Sequence, residues 1–382
     1  MEIPFVFGKI AVGKNFTGRS NELALLVQQL RSLSNTAVIA PRRWGKSSLI
    51  ARAVETVHAA DPELIICRMD LGAVRTRREF LQLLCRKVFA ATVDKWEDVA
   101  VAARRFLAPY NPRVSVGTNP GDMAHGGAYV ELDWDAVEQD ASALLDLCEH
   151  IAEAIDARVA LCIDEFQNVC EFENCEAFLH DLQRAWQAHQ YVGYCLSSVR
   201  RPVIIDMLNN PKRPLYRFGT LMFLSKPDAA DLVNFLQERF TETGRYITVE
   251  AAELIVALVD CHPYYVQQLG QQAWLRTTNV CMPEVVSEAH ASLVGQMSML
   301  FTGMTARLTT QQVRLLHAAA DGETEFGAKN VMRRYGLSSG TAVLRSKEAL
   351  VRADILDQWG GKYAFLDPLY RWWLANCYFV GD

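Results

Sequence analysis

The chain has 382 residues, of which 50% are hydrophobic and 22% are charged, so it can build two or three packed domains and is neither disordered nor fibrous. Its 39 Lys and Arg residues against 44 Asp and Glu residues give a net charge of −5, which excludes a uniformly basic protein that coats nucleic acid. No apolar run approaches the roughly 18–20 residues that cross a bilayer, and the start lacks the features of a signal peptide, so we expect a cytoplasmic protein without membrane contact. The ten cysteines form no Cys-x-x-Cys pair, so we expect them to be free thiols.

The first part of the chain alternates short β-branched runs with longer helical patterns. This alternation predicts a parallel sheet with helices on both faces, the α/β class. The predicted strands are 37–40, 64–70, 159–164, 193–197 and 220–224. The segment 110–136 interrupts the pattern with Pro- and Gly-rich turns and predicts a β-hairpin or an inserted surface loop. We assign residues 1–225 to one α/β domain.

The rest of the chain has two further patterns. From residue 226 to 304 it is helical throughout, with Asp228 placed to cap a helix that Gly244 ends, and we assign this stretch to a second domain. From residue 305 to 382, three helical patterns and a tight turn precede two short strands separated by Gly360-Gly361. Three helices and a hairpin predict a winged helix-turn-helix as the third domain.

A phosphate-binding loop pattern follows the first predicted strand. Compared with G-x-x-x-x-G-K-[ST], the chain has Ala40 in place of the first glycine and matches at Gly45, Lys46 and Ser47. Gly45 lets backbone N–H groups approach a polyphosphate, Lys46 would reach the β- and γ-phosphates, and Ser47 would bind Mg²⁺. A helix over about 47–57 would present its N-terminus to the same charge. The predicted nucleotide contacts from this loop are Ala40, Pro41, Arg42, Arg43, Trp44, Gly45, Lys46, Ser47 and Ser48.

Two carboxylates, Asp164 and Glu165, end the third predicted strand. In P-loop enzymes the first such acid holds Mg²⁺ and the second polarises the attacking water. Because parallel strands end at one edge of the sheet, we expect both acids to lie beside the loop. We therefore predict Ser47 and Asp164 as metal ligands and Glu165 and Lys46 as catalytic residues. A solvated acidic pair, or a nucleotide that is bound without being hydrolysed, is the alternative.

Two more candidates lie further along the α/β region. Ser197 ends the next predicted strand, where a hydroxyl could contact the γ-phosphate, although serine is also an ordinary residue at a strand end. Arg217 closes a basic stretch, and it could contact γ-phosphate in the same chain or from a neighbouring subunit. The alternative for Arg217 is a solvated basic face.

Near the N-terminus, the run Phe16–Leu23 begins a helix just before the first strand. Its placement suits a segment that lies over the adenine, and it makes Arg19 a candidate nucleotide contact. Taken alone, it is a helix start for which Gly18 or Ser20 would be the cap.

Together these elements resemble the AAA+/STAND-like ATPases of prokaryotes, specifically the archaeal-type ATPase family. The motifs that carry the resemblance are Phe16–Leu23, Pro41–Ser48, Asp164–Gln167, Pro214–Arg217, His262–Tyr265 and Asp367–Trp372. The resemblance implies a P-loop NTPase domain, a helical lid over 226–304, a winged helix, and ATP with Mg²⁺ as cofactors. It also implies that His262 and Pro263 of the lid motif contact nucleotide, whereas the alternative is a plain helix start at Pro263.

For function, the leading hypothesis is an ATPase that acts as a nucleotide-dependent switch or motor on a macromolecular partner. A protein partner or self-association is favoured. The alternative is ATP-regulated DNA binding through the winged helix, where Arg345 and Lys347 lie on the third helix. The near-balance of charge over 305–382 makes DNA the less favoured partner.

Overall fold

The structure, a computed structural model, describes residues 3–110, 113–115, 129–131, 141–199, 201–359 and 361–380. The chain divides into two compact units, Arg19–Ser225 and the combination of Met1–Gly18 with Lys226–Asp382. In the first unit the strands are β1 (Thr36–Ile39), β2 (Ile65–Asp70), β3 (Arg113–Ser115), β4 (Tyr129–Glu131), β5 (Val159–Asp164), β6 (Val192–Ser198) and β7 (Thr220–Phe223). Its helices are α1 (Ser20–Arg31), α2 (Lys46–Ala60), α3 (Arg77–Ala91), α4 (Trp96–Leu107), α5 (Leu147–Ala154), α6 (Cys175–Ala188) and α7 (Arg201–Asn209), with 3-10 turns at Val93–Lys95, Ala108–Tyr110, Ala141–Asp146 and Phe166–Glu171.

Five parallel strands form the central sheet in the order β2-β5-β6-β1-β7. All five predicted strands are confirmed, and β3 pairs antiparallel with β4 in the predicted hairpin. The register pairs Ile39 of β1 with Ser198 of β6, and Asp70 of β2 with Asp164 of β5. Strands β1, β5 and β6 therefore end side by side at one edge of the sheet, with β6 in the middle.

At the opposite end of the sheet, where the strands begin, backbone segments pack closely against each other. A Cβ atom on Gly219 would lie 2.1 Å from the carbonyl oxygen of Asn35, so only glycine fits where the chain enters β7. The N–H of Thr220 donates to the same carbonyl at 2.9 Å. Residues just before β7, including Arg217, consequently lie at the edge away from the strand ends that carry Asp164 and Ser198.

In the second unit the helices are α8 (Ala229–Thr241), α9 (Val249–Leu258), α10 (Pro263–Arg276), α11 (Pro283–Thr305), α12 (Thr310–Ala320), α13 (Lys329–Arg334), α14 (Gly340–Arg352) and α15 (Pro368–Trp373), with a 3-10 turn at Gly13–Asn15 and a π turn at Leu374–Tyr378. Its strands are β8 (Tyr246–Ile247), β9 (Val280–Cys281), β10 (Leu356–Trp359) and β11 (Lys362–Phe365). Asp228 caps α8 as predicted, by accepting from the N–H of Ala230. The predicted hairpin is present as the antiparallel pair β10–β11, although Gly360 of its turn lies outside the described residues.

The helical region and the winged helix share one hydrophobic core. The Tyr265 hydroxyl donates to Asp367 Oδ2 at 2.6 Å, and Trp373 Nε1 donates to Ser298 Oγ at 3.1 Å. Met1–Gly18 is also part of this unit, whereas the sequence-based division places it in the α/β domain 1–225. The division into 1–225, 226–304 and 305–382 stays a prediction. In the part of the chain that the structure describes, no helix combines the length and apolar character needed to span a bilayer.

Candidate functional site

The loop after β1 has the conformation of a phosphate cradle. The N–H of Ala40 donates to the carbonyl of Ser198 at 3.2 Å, which ties the start of the loop to β6. Arg43 (φ 64°) and Gly45 (φ 87°) are both left-handed, and such reversals turn backbone N–H groups into an anion-binding concavity. A Cβ on Gly45 would meet no atom within 4 Å, so the space beside it is open. Helix α2 begins immediately afterwards, at Lys46.

The ammonium of Lys46 is the centre of the site. It is only 5% exposed, and its Nζ ion-pairs with Asp164 Oδ1 and lies 3.5 Å from Glu165 Oε1. The Ser197 hydroxyl lies 3.4 Å from the same Nζ and donates to Asp164 Oδ1. The Ser47 hydroxyl donates to the other oxygen, Asp164 Oδ2, at 3.3 Å. Five residues from three neighbouring strand ends thus meet within hydrogen-bond or ion-pair distance.

Asp164 is held as a carboxylate. Burial tends to raise its pKa, but the charge and hydrogen bond of Lys46, the Ser197 hydroxyl and the N–H of Glu165 together lower that pKa below the usual aspartate value. An ionised carboxylate beside the Ser47 hydroxyl is a hard oxygen donor set. Mg²⁺ prefers such donors and keeps its remaining positions for water and phosphate oxygens, so the residues present fit this ion.

Glu165 lies directly after β5 in a left-handed conformation (φ 55°). Its carboxylate accepts a hydrogen bond from Gln167 Nε2 at 2.5 Å. In the sequence, Gln167 is marked only as part of the motif Asp164–Gln167, and the left-handed turn that brings it back to Glu165 has no sequence signal of its own.

Arg19 contacts the phosphate loop rather than the open space beside it. Its side chain is 3% exposed, and Nη2 donates to the carbonyl of Trp44 at 3.2 Å while Nη1 donates to Glu22 Oε1 at 2.9 Å. Arg19 is also the N-cap residue of α1, and no side chain caps this helix. The prediction that Gly18 or Ser20 is the cap is therefore wrong. In a trans peptide the C=O and the next N–H point in opposite directions. Arg19 therefore fixes the direction of the Gly45 N–H.

The remaining loop residues differ in exposure. Pro41 is buried, Arg42 and Arg43 are exposed, Trp44 is 8% exposed and Ser48 is half-buried. The loop therefore offers mainly its backbone, Lys46 and the two serine hydroxyls to a ligand, while the Trp44 ring packs inward.

Three predicted contacts are not brought to the loop within this unit. Arg217 is exposed and precedes β7, at the opposite edge of the sheet, so a contact from within the same domain is not supported by its position. A contact from a neighbouring subunit stays a prediction. His262 and Pro263 belong to the second unit, where the His262 ring packs 4.9 Å from Tyr265 and Pro263 is the first residue of α10. Their nucleotide contact also stays a prediction.

Comparisons with known proteins agree with this architecture. Residues 30–197 match the family described as AAA domain, and residues 299–376 match the one described as probable winged helix domain. No curated protein sequence matches the chain. The chain is similar in fold to the Walker-type ATPase PABY2304 of Pyrococcus abyssi, with a TM-score of 0.67 and 17% identity over 96% of this chain and 98% of that one. It is also similar to the ORC2 protein of Aeropyrum pernix, with a TM-score of 0.55 and 14% identity over 95% and 92%.

Proposed function

We propose that this P-loop ATPase, built from an AAA domain and a C-terminal winged helix domain, binds Mg²⁺–ATP at Lys46 and couples its hydrolysis to a macromolecular partner. The observation that carries the proposal is the convergence of Lys46, Ser47, Asp164, Glu165 and Ser197 at one edge of the sheet. These residues supply a cation that can bind phosphate, oxygen ligands that can bind a metal ion and a carboxylate that can polarise an attacking water.

The phosphates would take over the contacts that the Lys46 ammonium now makes with carboxylates. The left-handed residues Arg43 and Gly45 would direct backbone N–H groups at the same phosphates, and the N-terminus of α2 would add its dipole. Ser47 and Asp164 would hold Mg²⁺, which neutralises charge on the phosphate oxygens when bound. The ORC2 structure of similar fold is of ADPNP and ADP complexes, which supports nucleotide binding by this chain.

Glu165 would be the general base. It lies next to Asp164 on the same strand end, and its Oε1 is on the side of Lys46, where the phosphates would bind. Ser197 lies at the end of β6, the strand between β1 and β5. From there its hydroxyl would contact the γ-phosphate or the attacking water.

A partner that is a protein or a second copy of the chain fits the winged helix better than DNA does. On α14, Lys347 lies 4.5 Å over the ring of Tyr363 in the hairpin, so this cation packs within the domain. Arg345 is exposed, but Glu348 is exposed on the same helix and offsets its charge. The second candidate function, ATP-regulated DNA binding, is favoured by the winged helix match and by this exposed arginine.

The decisive experiment compares ATP turnover and ATP binding in the wild type and in Glu165→Gln. We expect ATP affinity to survive, because Lys46 and Asp164 are untouched, and turnover to fall by about 10²–10⁴-fold, as for other removed general bases. Glu173→Gln is the matched control, since Glu173 is an exposed carboxylate eight residues further along the chain. Equal turnover in the wild type and Glu165→Gln would refute Glu165 as the base.

A further inference from the structure

Gln167 is buried beside the proposed base, although an amide is an expensive group to bury. The side chain is 3% exposed. Its Nε2 donates to Glu165 Oε2, while its Oε1 is buried and has no hydrogen-bond partner among the described residues. A buried polar atom without a partner costs stability that an apolar side chain of similar size would not cost. Packing alone does not account for an amide at this position.

The two oxygens of the Glu165 carboxylate have different neighbours. Oε2 accepts from Gln167, and Oε1 lies 3.5 Å from Lys46 Nζ, on the phosphate side. A carboxylate turns easily about its last torsion angle, because that rotation has a broad, shallow energy profile. Holding one oxygen therefore decides where the other points.

The backbone that carries Gln167 is well fixed. The 3-10 turn Phe166–Glu171 follows Glu165 at once, and Phe166 and Val169 within it are fully buried. The Phe166 ring lies 5.8 Å from Trp186, and Asn168 Nδ2 donates to the carbonyl of Leu71 at 2.9 Å. The Gln167 donor is thus presented from a rigid segment.

We propose that Gln167 is a positioning residue that holds Glu165 with Oε1 directed at the water-binding side of the nucleotide site. The proposal rests on the proposed ATPase function. When the phosphates bind Lys46, Glu165 loses that cation as a close partner, and the Gln167 amide is the contact that keeps its orientation. The amide acts through Glu165 and does not touch the phosphates, so its loss affects the chemical step rather than ATP affinity.

The test uses the full chain and the variants Gln167→Met and Gln167→Asn. Methionine keeps the size without the donor, and asparagine keeps an amide that is too short to reach Glu165. Both should lower kcat by about 10–100-fold, as expected for a lost hydrogen bond to a charged group, with the Kd for ATP unchanged. Gln187→Met is the matched control, because it makes the same substitution at an exposed glutamine of α6, a helix residue outside the turn that carries Gln167. It should leave kcat within about threefold of the wild type.

A second set of variants separates positioning from a structural role. In single-turnover assays, Gln167→Met should cause no further loss in the Glu165→Gln background, because the group it orients is already gone. Wild-type kcat in a folded Gln167→Met or Gln167→Asn variant would overturn the proposal, and so would an equal further loss in the double variant. If instead the proposed role of Glu165 as the base is wrong, the Glu165→Gln single variant would turn over ATP at the wild-type rate, so the two failures can be told apart. Thermal melting identifies a variant that does not fold, and the other substitution then carries the test.

Discussion

Lys46→Ala perturbs the structure in two ways that can be measured separately. The first is stability without nucleotide. The ammonium is nearly fully buried and neutralises two carboxylates that are themselves only 29% and 25% exposed. Removing one partner of a fully buried pair costs about 3–5 kcal/mol, and the partial exposure of Asp164 and Glu165 reduces this, so we expect a loss of about 1–3 kcal/mol in unfolding free energy at pH 7.

This stability loss should depend on pH. The pKa of Asp164 is lower in the folded protein than in the unfolded chain, because Lys46, Ser197 and the Glu165 N–H outweigh the opposing effect of burial. The ionised form therefore stabilises the fold fully above the unfolded value of about 3.9, and this contribution disappears as the pH falls through the lower folded value. The difference between the wild type and Lys46→Ala should shrink below about pH 4.

The second effect is on nucleotide binding. At ATP concentrations 100 times Kd, binding stabilises the wild type by about 2.7 kcal/mol, which for a unit the size of Arg19–Ser225 corresponds to a rise in Tm of about 5–10 °C. Losing the Lys46 contact with phosphate should raise the Kd for ATP about 100-fold or more. At the same ATP concentration, the rise in Tm of the variant would then be about 1 °C or less. Arg52→Ala removes a cation on the same helix whose side chain is 40% exposed and pairs with Glu55, and this variant should keep the full rise in Tm. A folded Lys46→Ala variant with an undiminished rise would refute the P-loop assignment.

Two further predictions concern the loop and the winged helix. Arg19→Ala should weaken ATP affinity about tenfold, because the Trp44 carbonyl loses the Arg19 donor and the Gly45 N–H is no longer fixed by it. The ATP affinity of Arg19→Lys should lie between those of Arg19→Ala and the wild type. An unchanged Kd in isothermal titration calorimetry would show that the loop holds its shape without Arg19. Arg345→Glu should leave DNA affinity at the non-specific level of the wild type in fluorescence anisotropy at physiological salt. A sequence-dependent complex that Arg345→Glu abolishes would instead support the DNA-binding alternative.

The sheet and the centre of the site were predictable because their signals are local. Each central strand is a short apolar run between helical patterns, and Asp164 and Glu165 directly follow one of them. Parallel topology then places the strand ends together without any knowledge of side-chain contacts. The meeting of Lys46 with both carboxylates follows from these two facts.

Other features depend on contacts that no local pattern encodes. Arg19 was expected over the adenine, but its hydrogen bond to Trp44 joins positions 25 residues apart and requires the fold. The N-terminal segment was expected with the sheet, yet Phe5 packs edge-on at 6.2 Å from Phe235, in the second unit. Gln167 reaches Glu165 only because Glu165 adopts a left-handed turn that is rare for a residue with a side chain.

The core shared by α11 and the winged helix limits how the C-terminal region can be dissected. Phe301 packs at 5.2 Å from Tyr370, whose hydroxyl is hydrogen-bonded to Thr305, and all three residues are buried. Cutting the chain near residue 305 would expose these aromatic rings on both fragments, and each fragment would tend to aggregate. Truncation would therefore report on misfolding rather than on partner binding. Surface substitutions on α14, or exchange of the whole segment 226–380 together with the N-terminal segment, would test the proposed partner binding while keeping this core closed.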